Sequence, residues 1–251
     1  MNVIINTYGG GIYSLLNKAM SKLVPLSQNY NIKNFKIVLS DNHIIRNKHI
    51  FDDFFEYDNE EFIVMESIDE IYYRKVYDCP YYDKIKSILH INRINKKIVA
   101  EVDNYANLFS SKNTLAVHIR LTDMNIYHGD DYGIFTLNDY INKIDAMLLT
   151  HTNIDTIYIA SDNIESIDKL LKIYSDKYKI HYINDAYRVQ NENDDAYLYQ
   201  LEKMNNPDFH VKGFIELLVA SRCTYFIGRI SDYSNFCLLF SNTINYVESI
   251  N

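Results

Sequence analysis

The chain lacks tryptophan and has only three cysteines, Cys79, Cys223 and Cys237, with no CxxC pair among them. That spacing excludes a disulfide framework and a thiolate zinc site, and it points to a reducing compartment. Long hydrophobic runs are missing too. The longest apolar stretch near the C-terminus is broken by Arg222, Thr224 and Arg229, so no membrane span is expected. Met1-Asn-Val-Ile-Ile-Asn runs directly into a strand-like segment rather than a secretory leader, and the expectation is a cytoplasmic protein. Basic residues are in deficit, 25 Lys and Arg against 33 Asp and Glu, for a net charge of −8. A surplus of this sign argues against broad nucleic-acid binding. GxSxG, HExxH, GxGxxG and Walker A motifs are all absent, which counts against hydrolase and NTPase chemistry.

What is present is a globular composition, 47% hydrophobic and 23% charged, over 251 residues. That length suffices for two domains of ordinary size. Val3–Thr7 reads as a strand, Tyr8-Gly-Gly-Gly11 as a turn, and Ile12, Leu15, Leu16, Ala19 and Met20 recur at helical spacing. Strands follow at Phe35–Ser40 and Glu61–Met65, and apolar positions from Ile85 to Leu108 predict one helix over about 82–108. The acidic, aromatic stretch from Phe51 to Glu61 is read as a solvated face rather than a metal site. Ser110-Ser-Lys-Asn interrupts the pattern and marks a boundary near residue 110.

Beyond it strand and helix alternate: Leu115–Ile119, Thr136–Leu149, Thr156–Ala160, Ile164–Tyr174, Tyr178–Ile183, Val211–Ser221, Tyr225–Gly228, Ser231–Phe240 and Ile244–Val247. Thr136 ahead of Asp139 is a helix-start signature. Arg188–Asp208 is polar and reads as an excursion. The fold class is therefore α/β, with two parallel-sheet units and a cleft between them as the usual ligand position. Residues 1–110 form the N-terminal unit and residues 111–251 the C-terminal one.

Three strands of the second unit end in polar residues. The first ends in His118, Arg120, Thr122 and Asp123, the second in Ser161 and Asp162, the third in Gly228-Arg-Ile-Ser231-Asp232-Tyr233-Ser234. Ligands of open α/β sheets gather at strand carboxyl ends. A permanently charged planar guanidinium suits a diphosphate, and a helix N-terminus after Ser231 adds N–H donors. The glycine turn before Ile12 is another place where backbone approaches an anion. Each feature also has a plain structural explanation: a core histidine, a surface ion pair, a tight strand–helix turn.

Taken in order, these stretches resemble the superfamily of α-1,6-fucosyltransferases, rhizobial nodulation fucosyltransferases and protein O-fucosyltransferases. His118-Ile-Arg120-Leu-Thr122-Asp123 resembles the family's HxR(R)TD stretch, Ile159-Ala-Ser-Asp162-Asn its ATDD-like strand end, and Glu216 with Tyr225–Phe236 its closing motif. Tyr140 falls where α-1,6 members carry a tyrosine, and Gly9–Leu16 is similar to the family's N-terminal GxGxxxQL turn. Leu121 stands in place of a second arginine and Asn163 in place of a second acidic residue.

The resemblance implies a GT-B-like fold: two Rossmann-like domains facing a central cleft, the N-terminal one on the acceptor side and the C-terminal one holding the nucleotide sugar. It further implies inverting, metal-independent transfer of fucose from GDP-fucose, a donor substrate, to a hydroxyl of a glycan or protein, with no cofactor. Arg120 and His118 would be catalytic. Gly10, Gly11, Ser14, Arg120, Thr122, Asp123, Tyr140, Asp162, Glu216, Ser231, Asp232, Tyr233 and Ser234 would bind the donor. The loop after Arg120 offers His128, Asp130 and Asp131, and His128 is the candidate base because an imidazole titrates near neutrality. A transferase for another nucleotide sugar, or a non-catalytic GDP-binding protein, would share this architecture.

Overall fold

The computed structural model describes residues 1–7, 12–39, 49–57, 61–65, 81–90, 93–109, 113–122, 125, 133–191, 203 and 206–250. Contacts divide the chain into two compact units. The first comprises Met1–Glu101, Met204–Val211 and Ser231–Phe240; the second comprises Val102–Lys203, Lys212–Ile230 and Ser241–Asn251. Neither unit is one continuous stretch, where the sequence suggests a single cut near residue 110.

In the first unit, β1 (Asn2–Thr7), α1 (Ile12–Asn29) and β2 (Asn34–Leu39) form a strand–helix–strand unit. β2 and β4 (Ile63–Met65) flank β1, both parallel to it. Phe35, Ile37 and Leu39 alternate inward along β2, and Leu15, Leu16, Ala19, Leu23 and Val24 make the buried stripe of α1. These two periodicities, two and about 3.6, are what let one sheet and one helix share a core.

The helix expected over 82–108 is two helices, α2 (Tyr82–Leu89) and α3 (Lys96–Ala106), separated by the short strand β5 (Arg93–Ile94). β5 pairs antiparallel with β3 (Phe55–Glu56), and the Asn95 N–H continues that edge by donating to the Phe54 carbonyl at 2.9 Å. The Asn95 side chain then accepts from the Lys97 N–H at 3.0 Å, starting α3 afresh. Apolar spacing is blind to such a pairing with a distant segment of the chain.

The second unit contains β6 (Thr114–Ile119), α4 (Leu137–Thr150), β7 (Thr156–Ser161), α5 (Ile164–Tyr174), β8 (Lys179–His181), β9 (Tyr225–Arg229) and β10 (Tyr246–Ile250), with α6 (Pro207–Ser221) leading into β9. Its five strands are all parallel, in the order β10-β9-β6-β7-β8. Every residue of β6, β7 and β9 is buried, as expected for a parallel sheet covered on both faces. Leu115, Val117 and Ile119 share a core with Tyr140 and Ile144 of α4 and Ile167 and Leu170 of α5. On the other face the Tyr158 hydroxyl donates to the Glu216 carbonyl of α6 at 3.3 Å.

The helix Asp232–Phe240, here α7, is buried along its length and packs on α1 and α2 in the first unit. Both units are thus Rossmann-like parallel sheets with covering helices. Among the described residues no helix is long and apolar enough to cross a membrane.

α4 begins at Thr136, whose N–H and hydroxyl donate to Asp139 Oδ2 at 2.7 and 2.9 Å. Those two bonds hold the Asp139 carboxyl below its ordinary value. The resulting stability is present above the usual carboxylate range and is lost as pH falls through the lowered value. Thr136→Ala should cost about 1 kcal/mol of unfolding free energy, seen as a lower denaturant midpoint with an unchanged slope.

Candidate functional site

Strand order places the site. The chain adds strands outward from β6 through β7 to β8, then returns to the far side of β6 with β9 and β10. The reversal lies between β6 and β9, and in open α/β sheets the crevice outside the carboxyl ends at such a switch point is the ligand position. His118 is in register with Gly228 of β9, so Arg120, two residues on, leaves the sheet at this point.

His118 is buried on β6. Burial, and secondarily the charge of Arg120, hold its imidazole down to about 3. It is therefore neutral at physiological pH, suited to hydrogen bonding rather than to proton transfer. The Arg120 N–H donates to the Tyr140 hydroxyl at 3.2 Å. Tyr140 is wholly buried on α4, and that burial pushes its phenol up and keeps it protonated. The backbone that aims the guanidinium is thereby fixed to a core side chain.

Thr122 and Asp162 close the next layer. The Thr122 hydroxyl donates to Asp162 Oδ2 at 2.6 Å and its N–H donates to the same oxygen at 3.4 Å. Asn163 Nδ2 donates to Asp162 Oδ1 at 3.1 Å, and Asn163 Oδ1 caps α5 by accepting from the Ser166 N–H at 2.8 Å. Where the sequence has Asn163 rather than a second acid, the amide steadies Asp162 and starts the helix.

Glu216 lies on α6 among apolar neighbours and is 7% exposed. Its carboxylate pairs with Arg188 Nη2. Burial pushes Glu216 up to about 7, with Arg188 lowering it and Asp162 raising it. Arg188 is missed by sequence analysis, which assigns it to the polar excursion; nothing local to it signals a partner 28 residues further on.

A second arginine is also missed. Arg229, at the end of β9, is 1% exposed. Its Nη1 donates to Asn125 Oδ1 at 2.8 Å, its Nη2 to the Gly133 carbonyl at 2.6 Å, and its guanidinium lies 4.9 Å from the Phe135 ring centre. Asn125 Nδ2 in turn donates to the Phe135 carbonyl at 2.7 Å. Gly133 sits at φ +81°, where a side chain would be strained.

Ser14 and the residues from Ser231 to Ser234 belong to the first unit. Ser14 stands in the first turn of α1. Ser231 caps α7 by accepting the Ser234 N–H at 3.2 Å, so its hydroxyl oxygen is engaged by the helix it starts. Asn17 Nδ2 donates to Asp232 Oδ1 at 2.9 Å, and the rings of Tyr13 and Tyr233 meet edge to face at 5.3 Å. The first turns of α1 and α7 are therefore neighbours within this unit. Gly10, Gly11, Asp123, His128, Asp130 and Asp131 lie outside the described residues. Among the described residues no three His, Cys, Asp or Glu side chains cluster as a metal site would need.

The doubly wound sheet, with an arginine at its switch point, places the chain among α/β folds built of two parallel-sheet units. Comparison with solved structures narrows the architecture further. No protein-family model and no curated protein sequence matches the chain. NodZ α-1,6-fucosyltransferase co-crystallized with GDP aligns over 100% of this chain and 94% of its own, at a TM-score of 0.57 and 11% identity. The fucosyltransferase NodZ from Bradyrhizobium aligns over 96% and 93%, at 0.56 and 12%. A structure of POFUT1 in complex with GDP-fucose overlaps more loosely, at 0.43 and 13%, over 67% of this chain and 49% of its own. The fold of this chain is thus the GT-B-like fold seen in the fucosyltransferase NodZ.

Proposed function

We propose that this protein is a glycosyltransferase that uses GDP-fucose, transferring fucose with inversion and without a metal ion to a hydroxyl of a glycan or protein. The observation that carries the reading is Arg120, fixed by Tyr140 beside the switch point of the C-terminal sheet, in a chain whose whole length follows the NodZ fold.

In the proposed reaction the acceptor oxygen bonds to fucosyl C1 while the bond from C1 to the β-phosphate oxygen breaks. GDP leaves with the electron pair, and the acceptor's proton passes to a base. Charge grows on the departing phosphate, where a preorganised guanidinium is worth most. Arg120 is assigned that role. Neutral His118 is assigned a hydrogen bond in the same shell, and Asp162 and Glu216 the guanosine or its ribose. Ser14 and the residues from Ser231 to Ser234 are assigned to the donor from the resemblance, as is Gly10-Gly11. His128 is the base suggested by sequence alone. No cofactor is required by this scheme.

Thermal shift with GDP against UDP is the first test. Saturating GDP should stabilise the protein by about 2–4 kcal/mol, following RT ln(1 + [L]/Kd), while UDP should leave it near its unliganded melting point. A panel of GDP and UDP sugars with acceptor glycans should then release GDP from GDP-fucose, equally with and without EDTA. Preferential release of UDP, or loss of turnover on chelation, would refute the donor or the metal-free scheme respectively.

A further inference from the structure

Arg188 follows β8, and its side chain is only 3% exposed. Nη1 donates to the carbonyls of Ile183 at 2.8 Å and Ala186 at 2.9 Å, Nη2 pairs with Glu216, and among the described residues its buried Nε finds no acceptor. The next residue is stitched to the strand end opposite. The Val189 N–H donates to the Asp162 carbonyl at 3.0 Å, and the Val189 carbonyl accepts from the Ile164 N–H at 3.0 Å. Glu165 repeats the pattern one residue on, its N–H donating to the Gln190 carbonyl at 3.2 Å. One short segment thus grips the carboxylate of α6 with a side chain and the Asp162 turn with its backbone.

We propose that Arg188 is a positioning residue of the nucleotide site: it aims the Glu216 carboxylate and couples it to the Asp162 turn, so that guanine-nucleotide binding depends on it. This rests on the reading of the site as a GDP site. The chemistry is direct. A carboxylate accepts hydrogen bonds from the N–H edge of a base or from ribose hydroxyls, whereas a carboxylic acid has lost part of that acceptor capacity. Among the described residues the charged groups acting on the Glu216 carboxylate are Arg188, from the segment after β8, and Asp162, from the end of β7, while the Tyr158 hydroxyl of β7 is engaged by the Glu216 carbonyl. Lys212, one turn earlier on α6, is paired with Asp185 at 2.9 Å. Of the influences on Glu216, burial and Asp162 favour the neutral acid and Arg188 alone opposes them. Removing the guanidinium leaves nothing to hold the charge.

Two measurements on the intact protein test this, in the wild type and in the Arg188→Lys, Arg188→Met, Glu216→Gln and Arg188→Met/Glu216→Gln variants. The first follows the Glu216 carboxyl by carbon-13 NMR without ligand, its signal assigned by its absence in Glu216→Gln. The midpoint should lie at a pH about one unit or more higher in Arg188→Met than in the wild type, with Arg188→Lys close to the wild type. The second is GDP affinity by calorimetry between pH 6 and 9. Arg188→Met should bind about threefold more weakly at pH 7.5 and recover towards pH 9, Arg188→Lys should restore most of the affinity, and the double variant, which removes both charges of the pair, should show no such pH dependence.

Superimposable Glu216 titrations in the wild type and Arg188→Met would overturn the proposal. So would equal losses of affinity in Arg188→Met and Arg188→Lys at every pH, since that is what a purely structural arginine gives. A wild type that ignores GDP would overturn the GDP reading and the binding clause with it, while the NMR arm still decides whether Arg188 sets the charge of Glu216.

Discussion

Arg120→Ala should lower the transfer rate about a hundred- to a thousandfold, the loss typical when one preorganised donor to a developing oxyanion is removed. Arg120 lies just beyond β6, its side chain is half-buried, and the bond that orders its backbone comes from its N–H to Tyr140, which alanine retains. The melting temperature should therefore move little. Arg120→Lys should recover only a small part of the rate, because an ammonium cannot hold two phosphate oxygens in the planar geometry of a guanidinium. Single-turnover kinetics with GDP-fucose, alongside calorimetric unfolding, measure both quantities. A variant that turns over at the wild-type rate removes Arg120 from the mechanism. One that loses rate and fold together shows the residue to be structural.

The second large effect concerns stability. Arg229→Ala should destabilise the protein by about 2–4 kcal/mol, because truncating a side chain that is 1% exposed leaves a cavity and removes the two hydrogen bonds its guanidinium makes. The Gly133 carbonyl loses its donor, Asn125 Oδ1 loses one of its two, and the Phe135 ring loses the cation lying over it. Arg229→Lys should keep the charge but reach at most one of the two acceptors, giving an intermediate loss. Urea unfolding followed by circular dichroism reads this directly. A midpoint within experimental error of the wild type would mean that the guanidinium contributes nothing net to the folded state.

What the sequence reveals and conceals divides along physical lines. β6, α4, β7 and α5 were legible because each carries its own pattern: unbroken apolar runs for strands buried on both faces, 3.6-residue spacing for helices, and Thr136 three residues ahead of Asp139 for a start. His118, Arg120 and Asp162 were legible as candidates because polar side chains placed at the end of such a run are conspicuous. Arg188 was not, since its surroundings in the chain are polar and its partner Glu216 stands on another element. Nor was the break at β5, whose cause is a pairing with β3. The membership of α7 was equally hidden. A helix buried on all sides does not say which core it enters; Asn17 and Tyr13 of α1 and the Tyr82 hydroxyl of α2 show that it enters the first.

That last arrangement governs how the gene can be divided. A protein fragment ending at residue 101 would lack the helix on which Asn17, Tyr13 and the Tyr82 hydroxyl are seated. The complementary fragment would carry nine residues, 232–240, whose side chains are built to be covered by α1 and α2 and would instead meet water. Two halves produced from separate messages would each be unfinished, and each would complete itself best by finding the other.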